Sequence, residues 1–278
     1  FFSLWLIKRC VMIQNINAKF DNQFKNVSPR GDDYALCFNS RRVLLSLCDN
    51  TISLPTVNQT DGVIVYLFSL GGKNYFLCKS GEHGDFKYYD YKVLRTARPK
   101  ELAFAAVTAF HLNNWYNDNR FCGRCGAPMR LSPTERAMVC DCGNIVYPRI
   151  SPAVIVAIIS HGKICLTKYN RPGAHWALVA GFCEIGETAE QTVHREVFEE
   201  TGLKVKNLRY YKSQPWGFTS TLLYGFYCEV DGDDTVNVDN FELKEGKWFL
   251  PDEITFDDDD LSLTREMINN FKRGKINM

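Results

Sequence analysis

Short apolar runs separated by turn-forming residues dominate the first hundred positions. RRVLLSLC, GVIVYLFSL and NYFLCKS are set apart by GG, NQTDG and GEHGD. Runs of this length between Gly, Asn and Asp clusters predict strands joined by tight turns. The segment closes on ELAFAAVTAFHLNNWYND, which reads as a helix. Residues 12–118 are therefore expected to form a mainly β N-terminal domain, a scaffold or dimerisation element with no catalytic signature. From PAVIVAIIS onward the pattern changes: ICLTKY, HWALVAGF, VKNLRYY, LLYGFYCEV and GKWFL read as strands. One helix falls among them and another is expected in LSLTREMINNFKRG. That alternation predicts an α/β (α+β) domain over 150–278. Residues 119–149 between the two form a small cysteine module.

Composition narrows the class. A chain of 278 residues has room for roughly two domains. Its 33 Lys and Arg against 32 Asp and Glu leave a net charge of +1, so no general basic balance points to nucleic acid. No apolar run reaches the roughly 18 residues of a membrane span, and no membrane association is expected. FFSLWLIKRCV is too short in its apolar part for a secretory segment, and its Lys8 and Arg9 follow that part. Residues 1–11 read instead as an over-extended frame or a fragment edge. Of the 11 cysteines, seven are scattered singly among apolar residues and read as free thiols of a reducing, cytoplasmic setting.

The other four stand at 122, 125, 140 and 142, in the order C-x2-C-x14-C-x-C. Two close pairs separated by a hairpin's length of chain suit tetrahedral thiolate ligation of Zn²⁺. A complete set of four thiolates leaves no open position, so the metal would be structural. Redox-active or incidental cysteines are the competing reading. The module also offers Arg124, Arg130 and Arg136 to a nucleic acid, without a basic run.

Residues 181–203, GFCEIGETAEQTVHREVFEETGL, carry six glutamates. Thr188 with Gln191 makes a capping-box start, and Gly202 makes a helix stop. On the helix between them Glu196, Glu199 and Glu200 are spaced i, i+3 and i+4 and share one face. Val193 and Val197 can turn another face inward, and Arg195 can pair with Glu199 or Glu187. Three glutamates on one face repel unless something positive lies among them, and Mg²⁺ or Mn²⁺ takes such oxygen ligands. A plain solvated acidic face is the alternative.

The order of residues goes further. Gly181, Glu187, Arg195, Glu196, Glu199, Glu200 and Gly202 match every defining position of G-x5-E-x7-R-E-V-x-E-E-x-G, and the stretch resembles the Nudix box. That family hydrolyses nucleoside diphosphates linked to another moiety, on an α/β/α sandwich with a mixed sheet. The resemblance implies that Glu196 and Glu200 ligate catalytic metal with the carbonyl of Ala180, with Glu199 in or beside the cluster. A four-Cys ribbon ahead of the box, and SQPWGFTST at 213–221 after it, resemble the NADH pyrophosphatase family. Its members cleave NAD(H) to nicotinamide mononucleotide and AMP, bacterial ones also remove NAD caps from RNA, and they work as homodimers.

Residue by residue, the resemblance assigns Cys122, Cys125, Cys140 and Cys142 to zinc and Glu242 to the catalytic metal. It assigns Arg95, Glu135, Tyr147, Phe182, Gln214, Pro215, Trp216, Gly217, Phe218, Thr219, Ser220, Thr221 and Thr264 to substrate, with Phe182 stacking on one of its rings and Tyr147 reaching across the dimer. Gly217 and Thr219 stand where the family has prolines, and this is expected to loosen the loop. Other diphosphates such as ADP-ribose, and a non-enzymatic nucleotide- or RNA-binding protein, are the alternatives.

Overall fold

The computed structural model describes residues 12–79, 84–238, 242–255 and 261–276. The expected N-terminal extension, 1–11, and the acidic run FDDDD at 256–260 lie outside them. The chain divides into two units: Gln14–Ile150 with Gly217–Ser220, and Ser151–Trp216 with Thr221–Met278 and, at the start, Met12 and Ile13.

In the first unit, strand β1 (Arg42–Cys48) pairs antiparallel with Thr51–Ser53 and Lys87–Asp90. Strands β2 (Val63–Leu70) and β3 (Lys73–Cys78) form a hairpin. Its two-residue turn is Gly71–Gly72, with φ of 58° and 80°, the left-handed pair that a twisted hairpin asks for. Leu44, Tyr66, Phe76 and Cys78 of these strands make a core with Ala35 and Cys37, Ala35 lying on Tyr34–Leu36, which pairs parallel with β3. Helix α1 (Lys100–Asp118) buries Ala103, Phe104, Ala106, Val107 and Phe110. The cysteine module adds three short antiparallel strands, β4 (Arg130–Leu131), β5 (Met138–Val139) and β6 (Ile145–Val146).

The second unit is an α/β/α sandwich. Its seven-stranded mixed sheet contains β7 (Ser151–Ser160), β8 (Lys163–Tyr169), β9 (Trp176–Ala177), β10 (Val179–Phe182), β11 (Val205–Trp216), β12 (Thr221–Val230) and β13 (Leu243–Phe249). The path runs β9-β8-β7-β12-β11, with β10 on β7 and β13 on β8; only β7 and β12 pair in parallel. Alternation along β7 builds both layers. Val154, Val156 and Ile158 face a core shared with Val193 and Val197 of α2 (Ala189–Thr201). Ile155 and Ala157 face one shared with Leu263, Met267 and Ile268 of α3 (Leu263–Lys272). The expected strand at VKNLRYY continues through SQPW to Trp216, because Gln214, Pro215 and Trp216 stay in register with Leu223, Leu222 and Thr221. The first half of the expected aromatic loop is thus strand.

Of the single cysteines, Cys37, Cys78, Cys165 and Cys228 are buried, and burial pushes the thiols of Cys37 and Cys165 up to about 12. Cys48 is exposed and Cys183 half-buried. No described helix is long and apolar enough to cross a membrane.

Candidate active site

Helix α2 begins as its sequence predicts. The Thr188 hydroxyl accepts from the Gln191 N–H at 3.2 Å and the Gln191 amide oxygen accepts from the Thr188 N–H at 2.8 Å. It ends on Gly202, at φ 71°, whose N–H donates to Phe198. Between these caps Val193 and Val197 are fully buried, so the helix's orientation is set by packing, and the glutamate face is left to one side.

Arg195 organises that face. Its Nε and Nη2 donate to the two Glu187 carboxylate oxygens at 2.7 and 2.8 Å. Nη1 donates to Glu196 Oε1 at 2.7 Å and Glu199 Oε2 at 3.0 Å, and Nη2 also reaches the Phe182 carbonyl at 2.9 Å. Arg195 therefore binds both of its expected partners. Glu187 also accepts from the Glu184 N–H and the Thr192 hydroxyl, which ties the loop to the helix. The Arg195 guanidinium, first, and these donors hold the Glu187 carboxyl down at about 2. A carboxylate depressed in this way stabilises the folded chain above its unfolded pKa near 4.5 and stops doing so as pH falls toward 2. The Glu187→Gln chain is accordingly expected to melt below wild type at neutral pH. The gap should narrow as pH is lowered from about 5 to about 3, and thermal melts across that range check it.

Glu196 occupies a different environment. Its carboxylate lies against the backbone of β10: a Cβ on Gly181 would sit 1.9 Å from its carboxyl carbon. A side chain at the opening glycine of the box would push the Glu196 carboxylate out of this position, a role the motif alone does not reveal. Burial raises the Glu196 pKa, and it outweighs the lowering by Arg195, with Glu199 and Glu242 adding to the rise. Glu200 is buried at 7 % exposed, whereas Glu199 and Glu242 are exposed. Tyr169, at the end of β8, was not singled out in the sequence, yet its phenol feels all three of Glu200, Glu242 and Glu196. Burial first, then those charges, push it up to about 12. The N–H of Asn170 donates to the Glu242 carbonyl at 2.9 Å, fixing Glu242 at that strand end. In type these donors suit a hard divalent cation, being all oxygen, but among the described residues they are not drawn into one cluster as the module thiols are.

The four module thiols gather more tightly: all lie within 4.8 Å of one another, the one group of its kind among the described residues. Cys122 and Cys142 are 3.7 Å apart and Cys125 and Cys140 3.5 Å. A tetrahedron with Zn–S bonds of about 2.3 Å has edges of about 3.8 Å, so the thiols fit zinc despite the single residue between Cys140 and Cys142. Arg124 and Asn144 donate to Cys122 Sγ, each at 3.4 Å, as expected around a thiolate. One zinc per chain is expected by elemental analysis. Cys142→Ser should lower its content to well under half and destabilise the module, since such sites derive on the order of 10 kcal/mol from the metal. Of the arginines offered to nucleic acid, Arg130 pairs with Asp141 at 3.1 Å. Arg136 is turned inward, donating to Asn22 and to the Leu67 carbonyl.

Other residues expected at the substrate fall into groups. Tyr147 donates to Glu135 at 3.2 Å, and Phe182 is exposed at the front of the helix. Arg95 lies over the Phe218 ring at 5.7 Å, and Tyr91 tilts against the same ring at 5.9 Å. Phe218 is only 7 % exposed. Gly217 does not loosen this segment as expected: a Cβ there would meet the Val107 carbonyl oxygen at 2.7 Å, so the glycine lets the chain pack directly on α1. Gln214 is fully buried, with Nε2 donating to Leu261 O at 2.8 Å and Oε1 accepting from Leu263 N at 2.7 Å. It latches the start of α3, where Thr264 lies half-buried in the first turn. Pro215 and Thr219 are exposed, Trp216 and Ser220 half-buried, and Thr221 buried.

A capped helix carrying three glutamates on one face, in an α/β/α sandwich that follows a four-thiol module in the sequence, is built like a Nudix domain preceded by a zinc module. The NUDIX domain profile matches residues 149–271, and the NADH pyrophosphatase zinc ribbon domain profile matches 117–147. The chain carries a segment matching a zinc ribbon followed by a segment matching a NUDIX domain. It is similar to the NAD-capped RNA hydrolase NudC of Salmonella schwarzengrund (strain CVM19633), at 48 % identity over 146 residues, 51 % of this chain and 56 % of the relative. The Salmonella typhi protein of the same description is 47 % identical over the same shares. The chain thus spans little more than half the length of these relatives. A NUDIX hydrolase structure from Nitrosomonas europaea superposes with a TM-score of 0.48 at 23 % identity, covering 55 % of this chain and 91 % of that one.

Proposed function

We propose that the chain hydrolyses the diphosphate of NAD(H), releasing AMP and nicotinamide mononucleotide (reduced or oxidised), and removes the same cap from RNA. It does so as a cytoplasmic homodimer using Mg²⁺ or Mn²⁺. The observation that carries this reading is the Glu196 carboxylate lying against the bare Gly181 Cα, with Glu200 buried one turn along the same helix face.

Glu196, Glu200 and Glu242, with the Ala180 carbonyl, would hold the metal. Bound there, it supplies a lowered pKa for water and charge neutralisation on the phosphoryl oxygens. The chain's own residues do the rest. Arg195 keeps Glu196 aimed and couples it through Glu187 to the loop, so the carboxylate face is organised before substrate arrives. Glu199, 57 % exposed along its side chain, is the carboxylate open to take a proton from the attacking water. Phe182 offers an exposed ring face for a base or nicotinamide. Glu135 and Tyr147, hydrogen-bonded to one another in the first unit, offer a polar pair for substrate.

Incubation with NADH, NAD⁺, an NAD-capped oligonucleotide and ADP-ribose at equal concentration, with Mn²⁺ or Mg²⁺, should release nicotinamide mononucleotide, with AMP from the free dinucleotides and a 5′-monophosphate end on the RNA, faster than ADP-ribose releases AMP. No nicotinamide mononucleotide from any of the three nicotinamide substrates would sink the proposal. ADP-ribose is a second reading because Phe218, expected at the substrate, is enclosed by Tyr91 and Arg95.

A further inference from the structure

A guanidinium has five N–H donors, and Arg195 has all of its own in use. They reach the two Glu187 oxygens, Glu196, Glu199 and the Phe182 carbonyl. No donor of Arg195 is left for a ligand. Glu187, Glu196, Glu199, Glu200 and Glu242 therefore outnumber the one guanidinium that holds them. A divalent cation offsets part of that charge, and a diphosphate, itself an anion, adds to it again. A second protein cation facing the phosphoryl groups would restore the balance.

Arg171 meets the requirement. It stands two residues beyond the end of β8, in a turn whose central positions are Pro172 and Gly173, the glycine at φ 71°. The Ala174 N–H closes the turn on the Arg171 carbonyl at 3.2 Å, and the Arg171 N–H donates to the Tyr169 carbonyl at 2.9 Å. Between them the Asn170 N–H holds the Glu242 carbonyl, so this turn is tied to a residue expected to ligate metal. The Arg171 side chain is exposed, and its guanidinium lies over the Tyr169 ring, 5.3 Å from the centroid. The phenol of that ring is in electrostatic reach of Glu200, Glu242, Glu196 and Arg171 alike. Contact through a ring face fixes a guanidinium without consuming its N–H donors. Although five carboxylates are concentrated here, none pairs with Arg171 among the described residues. The nearby lysines serve elsewhere: Lys168 and Lys247 each lie over Trp176, which packs against the core shared with α3.

A cation aimed by a ring, with its donors free, suits two-point binding of a phosphoryl group. We propose that Arg171 grips the substrate's diphosphate, with Tyr169 as its positioning residue. The inference rests on the hydrolase reading of this site. It does not depend on the choice between NAD(H) and ADP-ribose, which carry the same diphosphate.

The test titrates the zinc-loaded chain calorimetrically, in Mg²⁺, with methylene-bridged analogues of NAD and of ADP-ribose that cannot be cleaved at the bridge. Arg171→Gln should weaken binding by about tenfold to a hundredfold, as loss of a charge-assisted contact does. Arg171→Lys, which keeps the charge and loses the fork, should fall between the two. Tyr169→Phe, which keeps the ring, should bind the analogue more tightly than Tyr169→Leu. The Mn²⁺ affinity of the substrate-free chain, read by electron paramagnetic resonance, separates a phosphate contact from upkeep of the carboxylates. Loss of a positive charge should leave Mn²⁺ binding in Arg171→Gln unchanged or tighter, whereas a residue that only shapes the site would weaken Mn²⁺ and analogue together. Analogue affinity within about twofold of wild type in Arg171→Gln, or weaker Mn²⁺ binding, would overturn the inference. A wild-type chain that binds only the ADP-ribose analogue ends the nicotinamide reading, and Arg171 is then judged on that ligand. Binding of neither analogue ends both.

Discussion

A Glu200→Gln chain is expected to release AMP from NADH at least about 10²–10³-fold more slowly than wild type while folding as well or better. The two effects have one cause. Glu200 is 7 % exposed near the C-terminal end of α2, and its charge bears on the neighbouring Cys165 and Tyr169, raising the pKa of each after burial has done so. In the absence of a cation, a buried carboxylate costs the fold, and an amide of the same shape relieves that cost. With a cation, the charge is what binds. Product analysis by chromatography together with a thermal melt reads both. A variant with wild-type turnover would remove Glu200 from the reaction, and one with a much lower melting temperature would make it a structural residue.

The second large effect is expected at Gln214, through stability rather than contact with substrate. Its amide fills two backbone positions at once, the carbonyl of Leu261 and the N–H of Leu263, from a side chain with no solvent exposure. Gln214→Ala leaves both groups buried and unmatched and opens a void beneath the first turn of α3. A loss of about 3–4 kcal/mol is expected from the two unsatisfied groups and the cavity together. Urea unfolding measures it; a change under about 1 kcal/mol would show that α3 holds its own start. Tyr211 and Lys212, three and two residues earlier, both donate to the buried Glu266 at 2.5 Å, so strand β11 grips α3 at two levels. The motif SQPW, expected at the substrate, is in its first half a clamp between strand and helix.

What the sequence disclosed follows from how local each interaction is. The helix from Ala189 to Thr201 was legible because caps, spacing and the Arg195 pairings all lie within one stretch of chain. The four cysteines were legible because thiols in two close pairs have few other uses. Strands followed from apolar runs, and the hairpin at Gly71–Gly72 followed from its turn. The failures concern distant partners. Nothing near Gly217 indicates that Val107 presses on it, and so a residue read as loosening turned out to be one that permits close packing. Phe218 reads as a free ring until Tyr91 and Arg95 are brought over it. Tyr169 carries no motif at all, and only the fold sets it among Glu196, Glu200 and Glu242. Arg136 looks like a ligand for phosphate until its guanidinium is found on Asn22 and Leu67.

The contact between Gly181 and Glu196 has a consequence for how this box tolerates change. Position 181 contributes no functional group, yet a single added methyl would overlap a carboxyl carbon 1.9 Å away. In a scan of all substitutions across residues 181–203, it should therefore rank with the glutamates, whereas the exposed Glu184 and Glu190 should rank with ordinary surface. The half of the site that faces Glu196 is a vacancy in the side-chain sequence, inherited through an atom that is never there.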